Sequence, residues 1–159
     1  MLRKIFLVLC ILLLESFFSC NDEISPPENL VDIQLSYVSG SIGANLMPII
    51  PPDPIACQIV LVATSTNQTK PLSGLSITQA DVYLNSTNEK LGSIAFTTNW
   101  YGQLTPTESD TVRLNKITGP ISIFTPPCGK YVYLNLFVSQ NLFTSTSFKT
   151  DSLYFGCVY

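Results

Sequence analysis

Two short stretches hold the side chains that could do chemistry. Glu108 and Asp110 stand two positions apart in Thr105-Pro106-Thr107-Glu108-Ser109-Asp110, and a converging pair of carboxylates is what acid/base hydrolysis of a glycoside requires. The segment is polar and reads as a solvated loop, which weighs against that role. Trp100-Tyr101, just ahead of Gly102, is a candidate ligand contact, because exposed aromatic faces stack on sugars or on a partner's apolar patch. Trp100 is also in phase with Ile94 and Phe96, and the stronger reading makes it a core residue at a strand end.

Other chemistries find no residues to carry them. The chain has 159 residues and no histidine, which removes Ser-His-Asp and Cys-His nucleophiles and any imidazole metal site. No calcium loop of alternating aspartates and no phosphate-cradling glycine loop is present, and the cysteines lack the C-x-x-C spacing of a zinc site. Neither a cofactor nor a metal is expected, and the chain reads as a non-enzyme. The net charge of −3 argues against a nucleic-acid partner held by a basic face.

The elements that must position these residues read as strands throughout. Val31, Ile33, Leu35 and Tyr37 alternate with polar residues, the period of a half-buried strand. Gly40–Pro54, with four prolines and two glycines, predicts a long connection or an irregular edge. Cys57–Ala63 is a continuous apolar run of the kind found in a strand covered on both sides. Ala80–Asn85 and Leu91–Trp100 form a hairpin across the turn 86–90, and Thr111–Ile117 and Pro120–Phe124 form a further pair or a bent strand. In Lys130–Ser139 the residues Val132, Leu134, Leu136 and Val138 point inward, and Ser152–Val158 closes the chain. No stretch keeps apolar residues at helical spacing over three turns, so the expected fold is all-β, an antiparallel sandwich of about seven strands.

Three cysteines lie in this region, so at most one intramolecular bridge forms and one thiol is left over. If Lys130–Ser139 and Ser152–Val158 pair as a hairpin, Cys128 and Cys157 face each other and the bridge contributes about 3 kcal/mol by restricting the unfolded chain. The rival is Cys57–Cys128, and the alternative to both is three small buried thiols. The first pairing is preferred.

The N-terminus reads differently. Arg3-Lys4 precedes the unbroken apolar run Ile5–Leu14, closed by Glu15. A run this short is the core of a secretory signal rather than a membrane span. Phe17-Phe18-Ser19-Cys20 resembles the lipobox of bacterial lipoproteins, with Phe17 and Phe18 standing where Leu and a small residue are usual. Followed by Asn21-Asp22-Glu23, it resembles in particular the lipoproteins of Bacteroidetes, whose acidic cluster directs them to the outer surface. The resemblance implies cleavage before Cys20, acylation of Cys20 and attachment to the outer membrane, at the cell surface first and on the periplasmic face second. The domain plan is then a signal peptide 1–19, a lipidated tether 20–28 carrying Pro26-Pro27, and one domain 29–159.

Within that domain Lys70-Pro71-Leu72-Ser73-Gly74-Leu75-Ser76-Ile77 and Thr97-Thr98-Asn99-Trp100-Tyr101-Gly102 resemble the turn chemistry of bacterial Ig-like and carboxypeptidase-regulatory-like domains. That likeness implies an Ig-like sandwich and speaks to fold rather than function. Asp110-Thr111-Val112 and Asp151-Ser152-Leu153 resemble the Asp-Ser/Thr-aliphatic acceptor of Bacteroidetes O-glycosylation, which makes Thr111 and Ser152 candidate modification sites. The expected function is a membrane-anchored cell-envelope lipoprotein with a non-catalytic binding or structural module, whose partner is an envelope protein or a glycan. The alternatives are a glycan-binding accessory of an outer-membrane uptake system, which requires an exposed Trp100, and a fimbrial or assembly subunit.

Overall fold

The structure, a computed structural model, describes residues 32–47, 54–117, 125–140 and 143–159. The signal, the lipobox with Cys20, the tether and the expected strand Pro120–Phe124 lie outside the described residues. The described chain is all-β: β1 (Ile33–Asn45), β2 (Ile55–Ser65), β3 (Leu75–Leu84), β4 (Lys90–Thr98), β5 (Ser109–Lys116), β6 (Tyr131–Gln140), β7 (Phe143–Lys149) and β8 (Leu153–Val158). The strands run in the order β3-β4-β5-β2-β1-β8-β6, and β6 pairs back onto β3. Seven strands thus close a ring, where an antiparallel sandwich was expected, and β7 shares with β8 the edge of β6 that faces away from β3.

Closure depends on two strands that change partner halfway. β4 pairs with β3 through Lys90–Ala95 and with β5 through Phe96–Thr98. β8 pairs antiparallel with β6 at Leu153 and Tyr154, then parallel with β1 from Phe155 to Val158. The parallel contact is close: a Cβ on Gly43 would lie 2.6 Å from the carbonyl oxygen of Gly156, its register partner. Only a glycine lets the two backbones approach this far.

The core follows from alternation. Ile59, Leu61, Ile77, Val82, Val112, Leu114, Leu134, Leu136 and Phe155 are fully buried inside the ring. Each such side chain contributes about 1.5–3 kcal/mol relative to exposure. β2 departs from its expected two-sided cover: Cys57, Ile59, Leu61 and Ala63 are buried, while Ala56 and Gln58 are exposed and Val60 and Val62 half-buried. Gly40–Asn45, expected to be irregular, continues β1, because its backbone is paired with β2 on one side and, from Ile42, with β8 on the other. A bulge between Tyr37 and Ser39 shifts the inward set from Ile33, Leu35 and Tyr37 to Ile42 and Ala44. β3 starts five residues earlier than the apolar pattern suggested, since its first half alternates with a bulge between Ile77 and Gln79.

The expected hairpin of Lys130–Ser139 with Ser152–Val158 is corrected by β7, which occupies the edge of β6 first. Thr150 makes the exchange. Its N–H donates to the carbonyl of Leu134 at 2.9 Å, its hydroxyl accepts the N–H of Leu134 at 3.0 Å, and the hydroxyl donates to the carbonyl of Asp151 at 2.9 Å. One buried side chain therefore satisfies the backbone at the point where β7 leaves and β8 takes over. The register that pairs Tyr131 with Tyr154 carries on to set Cys128 opposite Cys157, and the disulfide joins them at a Cα separation of 5.5 Å. Cys57 is the thiol left over; it is buried, and desolvation pushes its pKa up to about 12, against a smaller opposing pull from Lys116.

Two outcomes follow. Thr150→Val keeps the shape but leaves the Leu134 N–H buried without an acceptor, so urea unfolding should show a loss of about 1–3 kcal/mol. A loss no larger than that of an exposed Thr→Val control would refute the joint. Replacing Cys128 and Cys157 together by serine opens a loop of 29 residues, and the same measurement should show a loss of about 2–4 kcal/mol.

Candidate functional site

Trp100 and Tyr101 sit at the turn between β4 and β5, and the backbone there is tightly specified. The Trp100 N–H donates to the hydroxyl of Thr98 at 3.0 Å. Gly102 takes φ +69° and accepts the N–H of Leu75 at 3.1 Å; a Cβ at this position would run into the Leu75 carbonyl. Only glycine serves here. Two further bonds, Leu72 N–H to Leu104 at 2.8 Å and Leu104 N–H to Leu72 at 3.0 Å, zip this turn to the loop before β3.

The effect on the two aromatic rings is opposite. Trp100 is 7% exposed and belongs to the core, so it is corrected as a ligand contact; with it goes the version of glycan capture that needed its face. Tyr101 is 93% exposed, held out by a neighbour anchored in the core. An open groove of about 500 Å³ lies beside it, lined among others by Leu72, Gln103, Thr105, Glu108 and Asp110. The structure thus brings Tyr101 together with both carboxylates singled out by spacing.

Those carboxylates are committed to the backbone. Oε2 of Glu108 accepts the N–H of Thr105 at 2.6 Å and its hydroxyl at 2.7 Å. These bonds, the backbone one first, hold the Glu108 carboxyl below its ordinary pKa despite a small opposing desolvation. A general acid needs the reverse, a carboxyl raised toward neutrality. Oδ1 of Asp110 accepts the N–H of Thr111 at 2.7 Å. Among the described residues no cluster of three or more His, Cys, Asp or Glu could hold a metal ion.

The groove end is also where the chain enters the domain. Asn67 Nδ2 donates to Asp32 at 2.6 Å, the Thr66 N–H donates to the Asp32 carbonyl, and the Ser65 N–H donates to the Glu108 carbonyl. Thr111 and Ser152, the acceptor-like positions, are both exposed, Thr111 on β5 and Ser152 just before β8. Cys20 lies outside the described residues.

A second group, which no motif in the sequence singles out, lies on the outer face of β3, β6, β7 and β8. Tyr83 and Tyr133 stack at 5.1 Å and 6°, Lys149 Nζ lies 3.7 Å from the Tyr133 centroid, and Tyr131 meets Tyr154 edge-on at 5.6 Å. The signal was present: with Val132 and Leu134 inward, Tyr131 and Tyr133 must point out. Asp81 shares that face yet is 7% exposed, covered by Lys90 at 2.7 Å and bonded by Ser93 at 2.6 Å.

No protein-family model matches this chain, and no curated protein matches it.

The Glu108 contact has a pH signature. Its folded pKa is depressed below 4.5, so its contribution to stability is full above that value and is lost as pH falls through the folded pKa. The Tm of wild type should therefore fall more between pH 7 and pH 3 than that of Glu108→Gln. Parallel curves would show that the Thr105 contact adds nothing.

Proposed function

We propose that the protein is a cell-envelope lipoprotein, anchored through acylated Cys20, whose β-domain is a binding module rather than a catalyst. The observation that carries the binding role is Tyr101, 93% exposed beside an open groove and fixed by the Gly102 turn and the Leu72–Leu104 bridge. A rigid aromatic face loses little conformational entropy on contact, which is why such residues dominate recognition surfaces. The depressed pKa of Glu108 supports the non-catalytic reading of the same groove.

The anchoring half rests on the run Ile5–Leu14 and on Ser19-Cys20-Asn21-Asp22-Glu23. Each buried methylene adds about 0.8 kcal/mol, so several acyl chains make detachment negligible. Location at the outer membrane, facing outward, is part of this proposal, as is use of Thr111 and Ser152 as glycan acceptors. An Ig-like arrangement of the strands is also proposed. Its support is the segregation of β1-β2-β5 from β3-β6-β7, with β4 and β8 bridging the two groups. Among the described residues no helix is long and apolar enough to cross a membrane.

The test compares wild type with Cys20→Ala in native cells fed an alkyne-tagged palmitate. Wild type should carry the label, fractionate with membranes and be removed by protease added to intact cells, while Cys20→Ala should be unlabelled and soluble. Labelling that survives Cys20→Ala would overturn the anchor. Protection of membrane-bound wild type from the protease would overturn the outward orientation.

A further inference from the structure

Beyond the groove at Tyr101, we propose a second ligand site at the opposite end of the domain, for a carboxylate-bearing sugar residue of an acidic polysaccharide, formed by Tyr131, Tyr154, Lys130, Asn85 and Ser86. A hollow of about 280 Å³ opens between the start of β6 and the turn after β3, lined by Leu84, Asn85, Ser86, Lys130 and Tyr131. Pockets for drug-sized ligands run from about 300 to 1,000 Å³, so this hollow has room for a single ring.

Three features define what that ring would be. Tyr131 and Tyr154 are 56% and 58% exposed, and their edge-on contact sets the Tyr154 ring against Tyr131, which lines the hollow. Such faces stack on the apolar C–H face of a pyranose. The amide of Asn85 and the hydroxyl of Ser86 supply the neutral donors and acceptors that sugar hydroxyls pair with. Lys130 adds a cation. It is exposed and its ammonium has no ion pair among the described residues, whereas neighbouring Lys90 is taken by Asp81 and Lys149 lies over Tyr133. An unpaired ammonium beside a stacking face complements a carboxylate on the stacked ring.

The described residues begin with Asp32 at the groove end, where Asp32 is tied to Asn67 and Thr66. Tyr131 lies at the far end of β6, near Leu84 at the end of β3. Asp32 and the tyrosine pair thus lie at opposite ends of the domain.

The experiment is affinity electrophoresis of the full-length protein in non-ionic detergent, through gels containing polygalacturonate or a neutral β-glucan. Polygalacturonate should retard wild type and the neutral polymer should not. Lys130→Gln and Tyr131→Ala should each weaken the retardation about tenfold, and Gln58→Ala, an exposed change on β2 outside both sites, should leave it unchanged. Both altered side chains are exposed, and near-ultraviolet circular dichroism checks that each variant folds; Lys130→Gln removes no packing and decides the matter if Tyr131→Ala does not fold. Absence of retardation, equal retardation by the neutral polymer, or retardation indifferent to Lys130→Gln would overturn the site. The readout does not depend on acylation or on the groove, so its failure is distinct from failure of the anchored binding module.

Discussion

The fold depends on how the single outer edge of β6 is divided between two strands. A β-strand edge presents a fixed row of donors and acceptors, and each buried one must find a partner. β7 satisfies Asn135–Gln140, β8 satisfies Tyr131 and Val132, and Leu134 between them is left to Thr150. Without that side chain the change of strand would leave a buried N–H unpaired. With it, β8 is released after two residues to run on beside β1, and the ring closes. The Cys128–Cys157 bridge lies in the same register and holds the departing strand where Thr150 has aimed it.

Closure in turn decides which side chains meet. Where the ring strands overlap, as β1 does with β2 and β8 from Ile42 on, both edges are paired, and variation falls to the connections at the two ends. At one end the Leu72–Leu104 bridge and the Gly102 turn bring Tyr101 up to Glu108 and Asp110, residues that nothing in their spacing places beside Leu72. At the other end the two-residue contact of β6 with β8 brings Tyr131 against Tyr154. The outer face between them is polar but not loosely solvated. Asp81 is covered there because Lys90, across the hairpin, folds back over it, and the hydrogen bond to Asp81 is the main reason the Lys90 pKa is raised.

Local patterns were legible and exchanges of partner were not. Alternation in Tyr131–Gln140 gave the inward face correctly because that strand is paired over its length and buried on one side. The disulfide was legible for a related reason: the register follows from counting along two antiparallel strands, whatever the chain does between them. β7 was missed because Phe143–Lys149 is rich in serine and threonine; it is stabilised by pairing with β6 rather than by an apolar stripe. Gly40–Asn45 was misread because glycine and proline signal irregularity locally, while Gly43 serves a long-range contact that local pattern does not encode. In the candidate groove, Tyr101 and the two carboxylates could be singled out by type, but the sequence alone could not show that they share one surface. The core position of Trp100 was legible from its phase with Ile94 and Phe96.

A net charge of −3 describes neither end of the molecule. Asp32, Glu108 and Asp110 gather at one end, and Lys130, with no ion pair among the described residues, lies at the other. The ten residues of β6 span the interval, about 30 Å at the usual rise of a strand. At physiological ionic strength charges are screened over about 8 Å, so carboxylates at one end exert almost no field at the other. The overall anionic balance disfavours wrapping by nucleic acid, which needs a basic face along its whole length. It does not disfavour a single carboxylate meeting a single lysine beside a tyrosine, because that contact is decided within one screening length.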